Sequence, residues 1–82
     1  MTVAKNADVT FASGSYKGAT INGTATVEAG VTFTDSTVTV NGTLNVEGGT
    51  FNGPVEFKGS SIANISGGSF NNEKKYGGVE FD

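Results

Sequence analysis

The chain has no cysteine, no histidine and no arginine, and it has a single proline among its 82 residues. Without cysteine it can form no disulfide, and the side chains that bind structural zinc are missing. Missing histidine also removes the commonest general base and the Ser-His and Cys-His nucleophile pairs. We therefore expect no enzyme activity, no bound metal and no cofactor.

Charge is also scarce. Five lysines against eight acidic residues give a net charge of −3. Nucleic-acid-binding surfaces are basic and rich in arginine, so we expect no nucleic-acid partner. No apolar run approaches the ~18 residues of a membrane span, and no signal peptide is visible, so we expect no membrane partner either.

The residues that are present favour β-structure. Gly, Thr, Asn and Ser account for 39 of the 82 residues. Gly, Asn and Ser form turns, whereas Thr, Val and Phe favour strands. No window shows apolar residues at helical spacing. The chain is therefore predicted to be all-β and to form one domain over residues 1–82, whose short length makes its core marginal.

The most informative feature is an internal repeat of about nineteen residues. Residues 22–33 align with 41–51, and residues 45–52 align with 64–71 at an offset of 19. Residues 7–11 align with 29–33 at an offset of 22. A fixed period of this length is typical of stacked architectures. The aligned segments place a phenylalanine after Thr or Ser four times, at Phe11, Phe33, Phe51 and Phe70.

This repeat predicts a short parallel β-solenoid of about four coils over residues 7–72, whose successive coils lie ~4.8 Å apart. Equivalent residues would then stack. The predicted inward stacks are Phe11, Phe33, Phe51 and Phe70, and beside them Val27, Val46 and Ile65. The predicted outward stack is Thr10, Thr32, Thr50 and Ser69. Corners would carry glycines at Gly30, Gly49 and Gly68 and an asparagine stack at Asn22 and Asn41.

The segments TVTVNGTLNVEGGTFNG and ISGGSFN resemble coils of the right-handed parallel β-solenoids found in bacterial surface passengers, adhesins and phage tailspike or fibre proteins. The resemblance covers about residues 7–72 and concerns the pattern of the architecture. It implies a structural protein of a virion or an extracellular surface.

Asn-Gly between alternating runs is also the strongest local signal for a β-hairpin. Asn22-Gly23 and Asn41-Gly42 both have such flanks. The alternative fold is therefore a small antiparallel β-sandwich or barrel built on two hairpins.

The repeat stops near residue 71. Residues 71–75 are polar and charged and are predicted to be a loop. Residues 76–82 return to alternation and are predicted to be a terminal strand or docking tail, since Val79-Glu80-Phe81 repeats Val55-Glu56-Phe57. Tyr76, Val79 and Phe81 are the candidate partner contacts.

Two groups of polar residues have a chemical interpretation beside a simpler one. Glu28 and Glu47 occupy equivalent positions, where paired carboxylates could bind calcium or act as the acid and base of a polysaccharide enzyme. The equivalent residue of the next coil is Ser66, which favours two solvated glutamates. The outward Thr stack resembles an ice-binding surface, but its second rank is irregular.

A short solenoid has two exposed ends with unpaired backbone groups, and a core this small needs further support. We therefore expect a homo-oligomer, or a subunit that docks on partner proteins of a virion or surface appendage. A carbohydrate-binding or adhesive module that recognises a surface glycan is the alternative function.

Overall fold

The computed structural model of the chain describes residues 1–34, 36–71 and 79–81. Within them the chain forms short strands in two sheets, wound into a β-solenoid of about four turns. Each turn, here called a coil, passes once through each sheet. The predicted all-β solenoid is confirmed. Every pairing between described strands is parallel, so the antiparallel alternative is wrong.

The five-stranded sheet takes one short strand from each coil, and we number all strands in chain order. Its strands, in spatial order, are β1 (Thr2–Val3), β3 (Ala19–Ile21), β5 (Val38–Val40), β8 (Val55–Phe57) and β11 (Val79–Phe81). Every neighbour in this sheet is therefore one coil further along the chain. The coils begin at Thr2, earlier than the predicted start at residue 7.

The six-stranded sheet forms the remainder of each coil. Its strands are β2 (Asp8–Tyr16), β4 (Thr24–Phe33), β6 (Thr43–Val46), β7 (Thr50–Phe51), β9 (Ile62–Ile65) and β10 (Ser69–Phe70). The long β4 pairs with β2 on one side. On its other side it pairs with β6 along its first half and with β7 along its second half. β9 and β10 then extend β6 and β7 by one coil.

Alternating residues build these strands and fill the core. In β4, Ala25 and Val27 are buried while Thr24 and Thr26 between them are only partly covered. Thr and Val suit this environment because their β-branched side chains pack on a pleated surface. The buried side chains are all hydrophobic, and none of the buried described residues is polar or charged. The space between the two sheets is therefore a dry apolar core.

Register forces equivalent side chains into stacks that run along the solenoid, which we call files. Phe33, Phe51 and Phe70 are paired in register. Their rings stack almost parallel, with centroids 4.9 and 4.8 Å apart. Val27, Val46 and Ile65 form a second inward file in the same sheet. The strand spacing of ~4.8 Å in a parallel sheet thus also sets the spacing of the aromatic rings.

Phe11 does not belong to the aromatic file, although the sequence alignment placed it there. It pairs with Val27, and Tyr16 pairs with Phe33. The corner within β2 is one residue shorter than the corner within β4, because the register shifts between Phe11 and Ser13. Phe11 instead closes the file from the side, with its ring edge-on to Phe33 and to Tyr16. The same shift moves Thr10 out of the predicted outward file and pairs it with Thr26.

The Asn-Gly pairs form corners between the two sheets. A two-residue hairpin turn of type I′ needs positive φ at both central residues. Neither Asn22-Gly23 nor Asn41-Gly42 has a positive φ. Glycine is needed for another reason: a Cβ on Gly42 would collide with the backbone carbonyl of Gly23 in the preceding coil. The corner is therefore packed coil on coil, and a side chain here would push the coils apart.

The second type of corner joins the two halves of the six-stranded sheet. Gly49 and Gly68 have φ near +95° and +93°, a conformation that L side chains rarely adopt. Gly30 was predicted to share this role but lies inside β4 without a positive φ. The register explains the difference, because Thr32 pairs with Thr50 and the residue equivalent to Gly49 is Val31.

The C-terminal strand β11 pairs with β8, residue for residue, from Val79 on Val55 to Phe81 on Phe57. Val79 and Phe81 therefore lie on the edge of the five-stranded sheet. Of the predicted 71–75 loop, Asn71 follows β10 and its backbone N–H bonds to the carbonyl of Phe51. Residues 72–75 and Tyr76 lie outside the described residues.

We expect Phe51→Ala to lower the free energy of unfolding by about 3–5 kcal/mol, because it removes a fully buried ring between two stacked rings. Urea denaturation measures this loss. Val9→Ala is the matched control, since Val9 is an apolar side chain that is already partly exposed. This substitution should cost less than about 1 kcal/mol. Equal losses for the two variants would contradict a core organised around the aromatic file.

We expect Gly49→Ala to destabilise the chain by about 2–4 kcal/mol, through strain at positive φ and a Cβ only 2.9 Å from the carbonyl oxygen of Val31. Gly59→Ala is the control: its φ is also positive, but no atom lies within 4 Å of the new Cβ. It should cost about 1 kcal/mol from the backbone alone. Thermal and urea denaturation of the two variants separate strain from collision.

Candidate functional site

The solenoid ends unevenly at its C-terminal side. The five-stranded sheet finishes with β11, whereas the six-stranded sheet finishes one coil earlier with β9 and β10. Within the described part of the chain, β9 pairs only with β6 and β10 only with β7. Their outer edges therefore present backbone N–H and C=O groups that could pair with another strand. At the opposite end, β1 and β2 present the corresponding edges of the first coil.

Exposed large apolar side chains are confined to these ends. Among the described residues they are Met1, Val9, Ile62 and Ile65. Ile65 is the clearest case, because it continues the file of Val27 and Val46. Those two valines are fully buried, but Ile65 is 44% exposed because none of the described strands lies on the outer edge of β9. Ile62, in the same strand, is 52% exposed. A strand on the outer edge of β9 would cover Ile65 as β9 covers Val46.

A shallow groove runs beside this edge. Its lining residues come from the last two coils: Asn45, Glu47, Ala63, Asn64, Ile65 and Ser66. Two of these residues, Ala63 and Ile65, are apolar and the other four are polar or charged. We call this groove, together with the outer edges of β9 and β10, the C-terminal end surface.

Rows of hydrogen-bonded asparagines run along the outside of the stack. The Nδ2 of Asn64 donates to the Oδ1 of Asn45 at 2.8 Å, across 19 residues. Asn71 donates to Asn52 at 3.1 Å and Asn41 donates to Asn22 at 2.8 Å, each with the same separation. In all three bonds the later coil is the donor. The rows therefore have a direction, and a donor from a further coil would continue them at Asn64 and Asn71.

The outward Thr file begins with a different residue from the one predicted. Thr32, Thr50 and Ser69 lie in register, and Ser15 takes the first place instead of Thr10. Beside it, Thr34 donates to the carbonyl of Tyr16 at 3.3 Å and begins a second rank that continues with Asn52 and Asn71. This surface is an ordinary polar strand face with two ranks of small hydrogen-bonding side chains.

Glu28 and Glu47 lie at the same corner of successive coils, since the N–H of Glu47 bonds to the carbonyl of Val27. Both are exposed. In residues 1–34 and 36–71, no three acidic side chains come close enough to hold a metal ion. The two glutamates at this corner are therefore solvated carboxylates on adjacent coils.

Two residues that matter at the ends were not placed correctly from the sequence. Ile62 was overlooked because it takes the outward position that Thr24 and Thr43 hold in earlier coils. An isoleucine that replaces threonine in the last repeat is itself a detectable signal. Tyr16 was not assigned to the place beside Phe33, because the alignment put Phe11 there. Of the candidate contacts, Val79 and Phe81 lie in β11, and Tyr76 lies outside the described residues.

No family model, curated protein or solved structure matches this chain. The described residues also include no helix that is long and apolar enough to cross a membrane. The fold is therefore defined by its own strand register.

We expect Glu47→Gln to raise the stability slightly, by about 0.2–0.5 kcal/mol at low salt, because it removes repulsion between like charges on adjacent strands. Urea denaturation at low and high salt measures this difference, which salt should abolish. Calcium should not stabilise either form. A calcium-dependent rise in melting temperature that Glu47→Gln removes would instead establish a cation site at this corner.

Proposed function

We propose that the chain is a non-enzymatic structural module that associates through the ends of its coil stack. It serves as a component of a phage fibre, spike or decoration, or of a cell-surface appendage. The observation that carries this proposal is the location of the exposed large apolar side chains: those of the described residues all lie in the first coil or in β9. The resemblance of the repeat to coils of surface and tailspike proteins supports the same setting.

The polar sides of the stack support the proposal that association takes place at its ends. They carry mainly Thr and Asn at the outward positions of the middle coils, and neighbouring asparagines of a row hydrogen-bond to each other. A surface of this kind stays hydrated at little cost. Natural sheets protect exposed edges with charges, proline or bulges. β9 and β10 contain no charged residue and no proline. Association would cover their edges instead.

We expect the full chain to self-associate in a concentration-dependent manner in sedimentation velocity between micromolar and millimolar protein. Ile65→Lys should prevent this, because an inward-pointing charge on an edge strand opposes pairing. Thr39→Lys is the matched control, since it adds the same charge to the side of a middle coil and should behave as the original chain does.

Urea denaturation of both variants shows whether they are folded before their sedimentation is compared. A chain that stays monomeric up to millimolar concentration contradicts self-association through the ends. Equal loss of association in Ile65→Lys and Thr39→Lys would place the contact on the side of the stack.

Glycan binding is a second candidate, favoured by the regular outward rows. Thr26, Asn45 and Asn64 present hydroxyl and amide groups at one-strand intervals, with the amide of Asn45 3.5 Å from the hydroxyl of Thr26. Retention on polysaccharide resins tests this. We expect Asn45→Ala to lose any retention that depends on this row, and no retention of the original chain would reject the candidate.

A further inference from the structure

We propose that the partner of the C-terminal end surface is the first coil of a second copy of this chain, stacked head to tail. We further propose that β11 competes with that copy's β1 for the edge of β8. This inference rests on the proposed function and specifies its partner. It follows from strand direction, from the residues at the two ends and from the unequal number of strands in the two sheets.

Strand direction favours a head-to-tail arrangement. All described pairings are parallel, so a copy moved along the stack axis without being turned over presents strands in the right direction. Its β2 has nine residues, and the segment from the first residue of β9 to the last residue of β10 has the same length. Within one chain, β2 occupies the same files as these two strands. The second copy's β2 would therefore continue both files without a change of register.

The residues brought together in this register are complementary. Val9 of the second copy would lie on Ala63, and Phe11 would lie on Ile65, because these residues share files within one chain. Val9 is itself 36% exposed at the first coil. Stacking therefore buries apolar groups of both ends at once. It also supplies the next strand to the bare edges of β9 and β10.

Charge is distributed unevenly along the stack in a way that suits this contact. The first coil carries the N-terminal amine, Lys5 and Lys17 against Asp8. Among the described residues of the later coils, Lys58 is paired with Glu56 at 3.5 Å, which leaves Glu28, Glu47 and Glu80 as the net charge. A positive first coil would thus approach a negative body, an arrangement that speeds encounter.

The two sheets cannot both be extended while β11 stays in place. The first and last described strands, β1 and β11, both belong to the five-stranded sheet, which therefore has one strand more at its C-terminal side than β9 and β10 can match. If the second copy's β2 lies on β9 and β10, its β1 falls at the position of β11. If its β1 lies on β11 instead, the six-stranded sheets are one strand apart and Ile65 stays uncovered. Close stacking therefore requires β11 to leave β8.

The backbone shows which groups compete. Successive residues of a strand direct their N–H and C=O groups to opposite neighbours. The carbonyl of Pro54 and the N–H of Lys58 bond to β5, so within β8 Val55 and Phe57 face the outer edge. Glu80 is then the residue of β11 whose backbone groups reach β8. In β1, Met1 and Val3 accept bonds from β3, and the backbone groups of Thr2 point outward.

This arrangement predicts different effects for prolines at adjacent positions of β11. Glu80→Pro removes the N–H that holds β11 on β8 and should lower the protein concentration needed for assembly about tenfold. Val79→Pro is the matched control, because the N–H that it removes points away from β8, and it should leave that concentration unchanged. Thr2→Pro removes the donor that the second copy would offer to β8 and should raise it.

Assembly is read out by a disulfide that only head-to-tail stacking allows. In the double variant Thr10→Cys/Asn64→Cys, the two cysteines share a file but lie three strands apart within one chain, about 14 Å, too far for a disulfide. Between stacked copies they would be direct neighbours. Since the chain has no other cysteine, oxidation should give a ladder of covalent oligomers, whereas either single variant gives at most dimers.

A ladder that appears at lower concentration with Glu80→Pro than with Val79→Pro supports the proposal. A ladder that is identical for both overturns the competition by β11 and leaves self-association intact. Oligomers in sedimentation without a ladder overturn the head-to-tail geometry but not the proposed function. Absence of both ladder and oligomers for the intact chain and for Glu80→Pro overturns the proposed function as well. Urea denaturation of each proline variant establishes that the coils remain folded.

Discussion

Parallel pairing of successive coils is the constraint on which the rest of the structure depends. It places every residue directly above its equivalent one coil earlier, so one choice of side chain is repeated along a file. Phe33, Phe51 and Phe70 show the result in the core, where ring spacing and strand spacing coincide. The asparagine rows show it on the surface, where the amide of one coil satisfies the next. Core and surface are thus two consequences of one register.

The same constraint explains what the sequence made visible. Residues that recur at an interval of nineteen identify a coil, and this was sufficient to predict the solenoid and to place Phe33, Phe51 and Phe70 at equivalent positions. The Gly-Gly corners were visible for the same reason, because Gly49 and Gly68 need a backbone conformation that few residues adopt. The match between the tail and Val55-Glu56-Phe57 likewise indicated a terminal strand, which β11 provides.

The first coil could not be placed from the sequence because it departs from the repeat. A Val-Thr-Phe pattern fits either half of the six-stranded sheet, and alternation alone does not distinguish Phe11 from Tyr16. The length of the corner decides between them, and the irregularity near Ser13 shortens it. The ends were hard to predict for a related reason: the exposure of Ile65 depends on whether another strand follows, which is a property of the assembly of coils and not of any local pattern.

The interval of nineteen residues has a consequence for the evolution and engineering of this chain. Each coil contacts mainly the coils before and after it, so stability accumulates coil by coil. Duplicating one interior repeat would lengthen the rod by a single strand spacing, about 4.8 Å, while both terminal surfaces keep their chemistry. The sequence thus works as a ruler: the distance between its two ends can be set in fixed increments by the number of repeats.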